Sequence, residues 1–165
     1  MPKGFRIIAR AMLAISLAVT LAFPAFANDP AVKLTDSDPE MNAAIQDARR
    51  TLDNFLTLHA SGQIDPKDAA VKVAVPTTEG LCCEHIWMVE FTREGEVFSG
   101  LVANDPIDVN YLKLWQPYQF TRADISDWNY RADGKLHGAY TLRVMIPKLP
   151  PEQAAEFRAI LAPLP

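Results

Sequence analysis

The hydrophobic period of this chain changes once, and that change dictates the class of fold. Apolar residues recur at Met41, Ala44, Ile45, Ala48, Leu52, Phe55 and Leu56, the spacing of one buried helix face kept up for about four turns. Beyond Pro66 the period drops to two. Val71, Val73 and Val75 share one side, Lys72 and Ala74 the other, until Pro76 closes the run, which is the alternation of a strand. A helix followed by alternating segments predicts an α+β fold: an N-terminal amphipathic helix packed on a mostly antiparallel, twisted β-sheet.

The helix ends are marked. Asp38 suits the N-cap, Pro39 the first helical position, Glu40 the positive end of the dipole, and Gly62 a left-handed stop. His59 extends the apolar stripe and is expected to be a partly buried histidine at the helix end. In 84–91 the odd positions His85, Trp87, Val89 and Phe91 fall on one face, with Glu84, Ile86, Met88 and Glu90 opposite. Glu94 and Gly95 reverse the chain into 97–103.

A second hairpin turns at Asp133-Gly134, and its register is open to argument. Trp128 and Tyr130 share a face only with Leu136, Tyr140, Leu142 and Val144 if three residues, 132–134, form the loop and Tyr130 pairs with Leu136. A two-residue loop pairs Tyr130 with His137 and sends the two apolar sets to opposite faces. The expectation is the three-residue loop, with the last strand running on until the prolines from Pro147 to Pro151. Residues 152–162 then read as a short C-terminal helix with Ala154, Phe157, Ile160 and Leu161 on one side.

Residues 1–27 have the parts of a cleaved secretory signal peptide. Lys3, Arg6 and Arg10 precede an apolar run over 11–23, and Ala25-Phe26-Ala27 supplies the small-residue cleavage site, with cut expected between Ala27 and Asn28. The apolar run ends at Pro24, short of the ~20 residues that span a bilayer. The expectation is a periplasmic or secreted protein without a membrane anchor. Residues 28–37 form a polar lead, 38–146 a single domain and 147–165 a proline-bounded helix.

Cleavage removes three cations and no acid, leaving 13 basic residues against 20 acidic ones and no basic block. That balance disfavours nucleic acid as a partner. Export would also put Cys82 and Cys83 under oxidising conditions. Neighbouring residues sit ~3.8 Å apart at Cα, closer than the ~4.4 Å at which disulfides begin. A vicinal bridge is therefore strained, and the core must hold the fold.

The run Asp124-Ile125-Ser126-Asp127-Trp128-Asn129-Tyr130, with Asp133-Gly134-Lys135 and Gly138-Ala139-Tyr140-Thr141 after it, resembles the bacterial YegJ-like domain of unknown function 2314. Glu84-His85-Ile86-Trp87, the segment Gly100 to Pro106 and the helix ending Phe55-Leu56 are similar to the same family, so the resemblance covers about 41–145. It implies homology over nearly the whole domain, with no assigned catalytic residue or cofactor. Two departures stand out. Trp115 occupies a turn position where the family pattern has glycine, and the Cys82-Cys83 pair is absent from that pattern.

Candidate chemistry is sparse. Cys82, Cys83, Glu84 and His85 contain metal-capable and thiol groups, but strand alternation sends Cys83 and His85 one way and Cys82 and Glu84 the other. No Gly-x-Ser-x-Gly elbow is present. Asp124 and Asp127 are a carboxylate pair of the type used in acid-base chemistry, but the favoured reading is that Asp124 and Ser126 cap and turn the chain into the strand. No motif calls for a cofactor. The leading expectation is a non-enzymatic module binding an envelope or extracellular protein or small molecule, through His85, Trp87, Asn104, Trp115, Asp127 and Trp128. Its contact surface would join the loop 104–118, rich in Tyr111, Leu114, Trp115 and Pro117, to the strand at Asp127-Trp128. The alternative is a thiol- or metal-dependent enzyme using Cys82, Cys83 and His85.

Overall fold

A computed structural model describes residues 38–80 and 83–165. The expected signal segment, its Ala27-Asn28 cleavage point, the polar lead and Cys82 lie outside these residues. Helix α1 (Pro39–Ala60) begins as its cap residues dictate, with the Asp38 carboxylate accepting from the amides of Glu40 and Met41. Ala44, Ala48, Leu52 and Phe55 turn inward. Full burial of side chains such as Leu52 and Phe55 stabilises by about 2 to 3 kcal/mol each.

Six strands follow: β1 (Ala69–Pro76), β2 (Cys83–Glu94), β3 (Val97–Val102), β4 (Pro117–Thr121), β5 (Ile125–Ala132) and β6 (Lys135–Gly138). They form one sheet in the order β4-β3-β2-β1-β5-β6, antiparallel at every pairing. Helices α2 (Tyr140–Met145) and α3 (Pro151–Ile160) complete the chain. This is the α+β arrangement the periodicity predicts.

The sheet is strongly curled. Only Arg122, Ala123 and Asp124 carry the chain from edge strand β4 to β5, four places away in the sheet. Four steps span ~19 Å in a flat sheet, while four residue advances reach at most ~14 Å. The strands therefore wrap around α1, and two bulges assist. At the first, Val89 pairs with Leu101 and Thr92 with Ser99, so Glu90 and Phe91 together oppose Gly100. At the second, Lys72 pairs with Asp127 and Val73 with Ile125, leaving Ser126 as the extra residue.

The principal core lies between α1 and the concave face, from Val71, Val73, Val75, Ile86, Met88, Phe91, Phe98, Phe120, Ile125 and Trp128. Phe91 corrects the expected alternation. Glu90 adopts a left-handed φ of 49°, and the bulge turns Phe91 onto the Ile86 and Met88 face rather than that of Trp87 and Val89. Gly100 answers it, since a Cβ there would lie 3.1 Å from that of Phe91 and 3.2 Å from that of Met88.

The hairpin also departs from expectation. Tyr130 pairs with His137 and Ala132 with Lys135, closing a two-residue loop at Asp133 (φ 50°) and Gly134 (φ 71°). Two positive φ values give the turn whose twist suits an antiparallel ribbon. Its consequence, apolar sets on opposite faces, is met by a second core: Leu136, Ala139, Leu142, Ile146 and Ala154, with Phe157 and Leu161 of the α3 end packed on it. Residues 140–145 form α2 rather than a continued strand, because Gly138 (φ 71°) and Ala139 (φ 53°) turn the chain out of the sheet. Pro117 and Tyr118, assigned above to a loop, open β4, paired with Leu101 and Gly100.

Candidate functional site

The β3 to β4 connection, residues 103–116, is long and has no helix or strand of its own, so its backbone must be satisfied by other means. Glu84 does most of this. Its Oε1 and Oε2 accept from the amide of Ile107 at 2.9 and 3.0 Å, and Oε2 accepts from that of Asp108 at 2.8 Å. Thr78 Oγ1 accepts from Asn110 N at 2.8 Å, and the Tyr111 hydroxyl donates to Pro76 O. At the root, Asn104 Oδ1 accepts from Trp87 N at 2.8 Å. At the far end Trp115 N donates to Val102 O at 2.8 Å.

Val109 and Leu112 plug this loop into the principal core. Four large apolar side chains of the loop face out: Ile107 is 71% exposed, Trp115 58%, Tyr111 48% and Leu114 37%. The segment is thus tied down while presenting four large apolar groups, an unusual surface for a small domain. Trp115 has a left-handed φ of 64°, a region that L side chains with bulk avoid.

His85, Trp87 and Asn104 gather near the loop root. His85 is exposed, with Nδ1 2.7 Å from the Ser126 hydroxyl, and Ser126 donates onward to Lys72 O at 3.1 Å. Trp87 is buried on the face opposite α1, among Ala70, Val89 and Ala103, with the Lys72 ammonium 4.7 Å from its ring centre. Cys83 is half-buried two residues from His85, on the same side of β2. Among the described residues, no three of His, Cys, Asp and Glu are placed to share a metal ion.

Asp127 and Trp128 lie inside the molecule, not on the surface with the loop. Asp127 is fully buried and takes the place of an N-cap for α2, whose own cap residue Ala139 offers no side-chain acceptor. Its carboxylate accepts from Trp128 N (2.8 Å), Tyr140 N (3.1 Å), Thr141 N (2.8 Å) and Thr141 Oγ1 (2.7 Å). Burial pushes this carboxyl above the ordinary carboxylate range, against the opposing pull of Lys72 and the Thr141 hydrogen bonds. Trp128 stacks on Phe55 at 4.9 Å and donates its indole N–H to Ala48 O at 3.0 Å. Both residues hold the fold together.

Asp124 has a turn role as well, its Oδ2 accepting from Thr121 N and Oγ1, both at 2.8 Å. It does not meet Asp127. The profile of the DUF2314 family, uncharacterised proteins conserved in bacteria, matches residues 38–162.

The chain belongs to the DUF2314 family.

Among the curated relatives of this DUF2314 domain, the uncharacterised protein YegJ of Escherichia coli (strain K12) is 34% identical over 122 residues, covering 73% of this chain and 76% of YegJ. A putative ankyrin repeat protein of Neisseria meningitidis serogroup B is 27% identical over 130 residues, 74% of this chain. The match spans about half, 51%, of that longer protein. No solved structure matches the chain.

Sequence reasoning singled out Trp115 and Tyr111 in the loop but not Ile107 as a contact. The aromatic group formed by Phe55, Tyr130 and His137 depends on the two-residue hairpin register and is invisible to the three-residue expectation.

Proposed function

We propose that this domain is a non-enzymatic binding module of the bacterial envelope or exterior, and that residues 105–116 are its contact surface for a protein partner. The observation that carries the reading is Trp115: exposed by more than half, on a backbone whose φ of 64° suits glycine. A bulky side chain held on a strained, anchored turn has a use beyond folding, and exposed aromatic anchors are the residues that dominate protein interfaces. The acidic balance of the domain favours a partner other than nucleic acid.

Export follows from residues 1–27, whose cationic, apolar and small-residue parts match a cleaved signal. Intact mass of the protein recovered from the periplasm or medium should correspond to a chain starting at Asn28.

The contact surface is tested with a photo-crosslinking amino acid at position 115 or 111, against the exposed control position Glu156, in cells that make the protein. A discrete adduct from 115 and 111 and none from 156 supports the reading. Uniform labelling at all three, or none at any, overturns it. A second reading rests on His85 being exposed on the same side of β2 as Cys83: a thiol- or metal-dependent enzyme with Cys82, Cys83 and His85. Replacing both cysteines by serine without change in a cellular phenotype would exclude that chemistry.

A further inference from the structure

At the other end of the sheet lies a groove the loop surface does not touch. Tyr130 pairs with Ala69 at the start of β1, while the loop is tied to Pro76 at its end, seven residues or ~23 Å away. The groove has a volume of about 180 Å³ and runs between α1 and the β5-β6 hairpin. Its walls are an aromatic ladder: Phe55 stacked on Trp128 (4.9 Å), Trp128 on Tyr130 (6.1 Å) and Tyr130 on His137 (4.6 Å, ring planes 4° apart). The Asn54 side chain lies at its rim as a polar group.

The residues that follow α3 border the groove. After α3 the chain lies along β6 as a single parallel bridge between Leu136 and Leu161. Ala162 N donates to Leu136 O at 3.0 Å, and Arg143 Nη2 donates to Ala162 O at 2.6 Å. These backbone anchors stop at Ala162, since Pro163 and Pro165 have no N–H to donate. The two prolines line the groove, and Leu164 between them does not. Alternation of this kind is that of an extended segment laid on an aromatic surface. The prolines themselves remain exposed, so their seating is shallow.

We propose that the groove walled by Phe55, Trp128, Tyr130 and His137 is a binding site for a proline-containing extended segment of a partner protein, and that residues 163–165 occupy it in cis as a displaceable strap. Aromatic grooves favour such segments because a proline-rich chain is already extended and loses little conformational entropy on docking. The strap acts as an intramolecular competitor. If it is seated nine-tenths of the time, it weakens an incoming segment about tenfold.

The test uses the acetylated, amidated peptide Leu-Ala-Pro-Leu-Pro, the sequence of 161–165, against the full chain and against the double variant Pro163→Gly, Pro165→Gly. Binding is read by NMR at the Gly138 amide and the Trp128 indole N–H. The expected result is saturation of the double variant at roughly one tenth of the concentration the full chain needs. Leu-Ala-Ala-Leu-Ala should be inert. The proposal fails if neither protein shifts at millimolar peptide, if the alanine peptide shifts both resonances equally, or if the full chain dimerises by exchanging straps between copies. Should the double variant not fold, competition between the two peptides on the full chain decides by the same resonances.

Discussion

Gly138 lies flat against Trp128: a Cβ at this position would sit 2.4 Å from the tryptophan carbonyl oxygen and 2.6 Å from two atoms of its six-membered ring. With φ at 71°, the position excludes side chains on two independent grounds. Gly138→Ala should lose about 3 kcal/mol or more in urea unfolding, since neither the backbone nor a stacked indole yields cheaply. A loss under 1 kcal/mol would mean that the β6 to α2 turn can rearrange.

At Trp115 the sign is reversed. Glycine relieves the left-handed strain that alanine retains, so Trp115→Gly should exceed Trp115→Ala in stability by about 1 kcal/mol, after allowance for the looser unfolded chain. Denaturant midpoints with matched slopes provide the comparison. An alanine variant as stable as the glycine one would show that the turn is unstrained.

Asp127 holds α2 onto the sheet, and Asp127→Ala would leave the Tyr140 and Thr141 amides and the Thr141 hydroxyl without their buried acceptor. We expect a loss of about 3 kcal/mol or more. Hydrogen exchange at the Tyr140 and Thr141 amides should accelerate more than exchange in β2 and β3. Equal acceleration throughout would contradict a capping role.

His59 supplies the pH dependence. Its ring stacks on Phe91 at 4.3 Å, and burial lowers its pKa below the ordinary histidine value. The unfolded chain then binds a proton more readily than the folded one, so stability rises with pH through this window and falls on acidification from about 6.5 down to the folded pKa. His59→Phe should flatten that portion of the curve. The wild-type minus variant difference isolates it from Asp127, whose raised pKa acts with the opposite sign.

How far the sequence disclosed this fold depended on whether a signal was local. The Asp38 cap, the α1 stripe and the β1 alternation each rest on neighbours within a few residues, and all three read correctly. Phe91 did not, because its face is set by a bulge against Gly100, a partner on another strand. The partner of Tyr130 is hidden for a related reason: a single core for both sides of the hairpin would favour Leu136, whereas Leu136 serves a second core beneath α3. The loop was recognised as apolar, but only long-range ties such as Glu84 to Ile107 decide which of its side chains are left outside.

The position of β1 has a consequence in time. It is the first strand made, yet it sits between β2 and β5, and its Lys72 meets Asp127, 55 positions later. Arg49 likewise waits for the carbonyl of Ile125, 76 residues on. At 5 to 20 residues per second, a ribosome takes about 3 to 11 s to make the stretch between Lys72 and Asp127. Throughout that interval the oily side of α1 has no completed sheet to rest on, which makes 44–55 the stretch of the nascent polypeptide that a holding chaperone would grip.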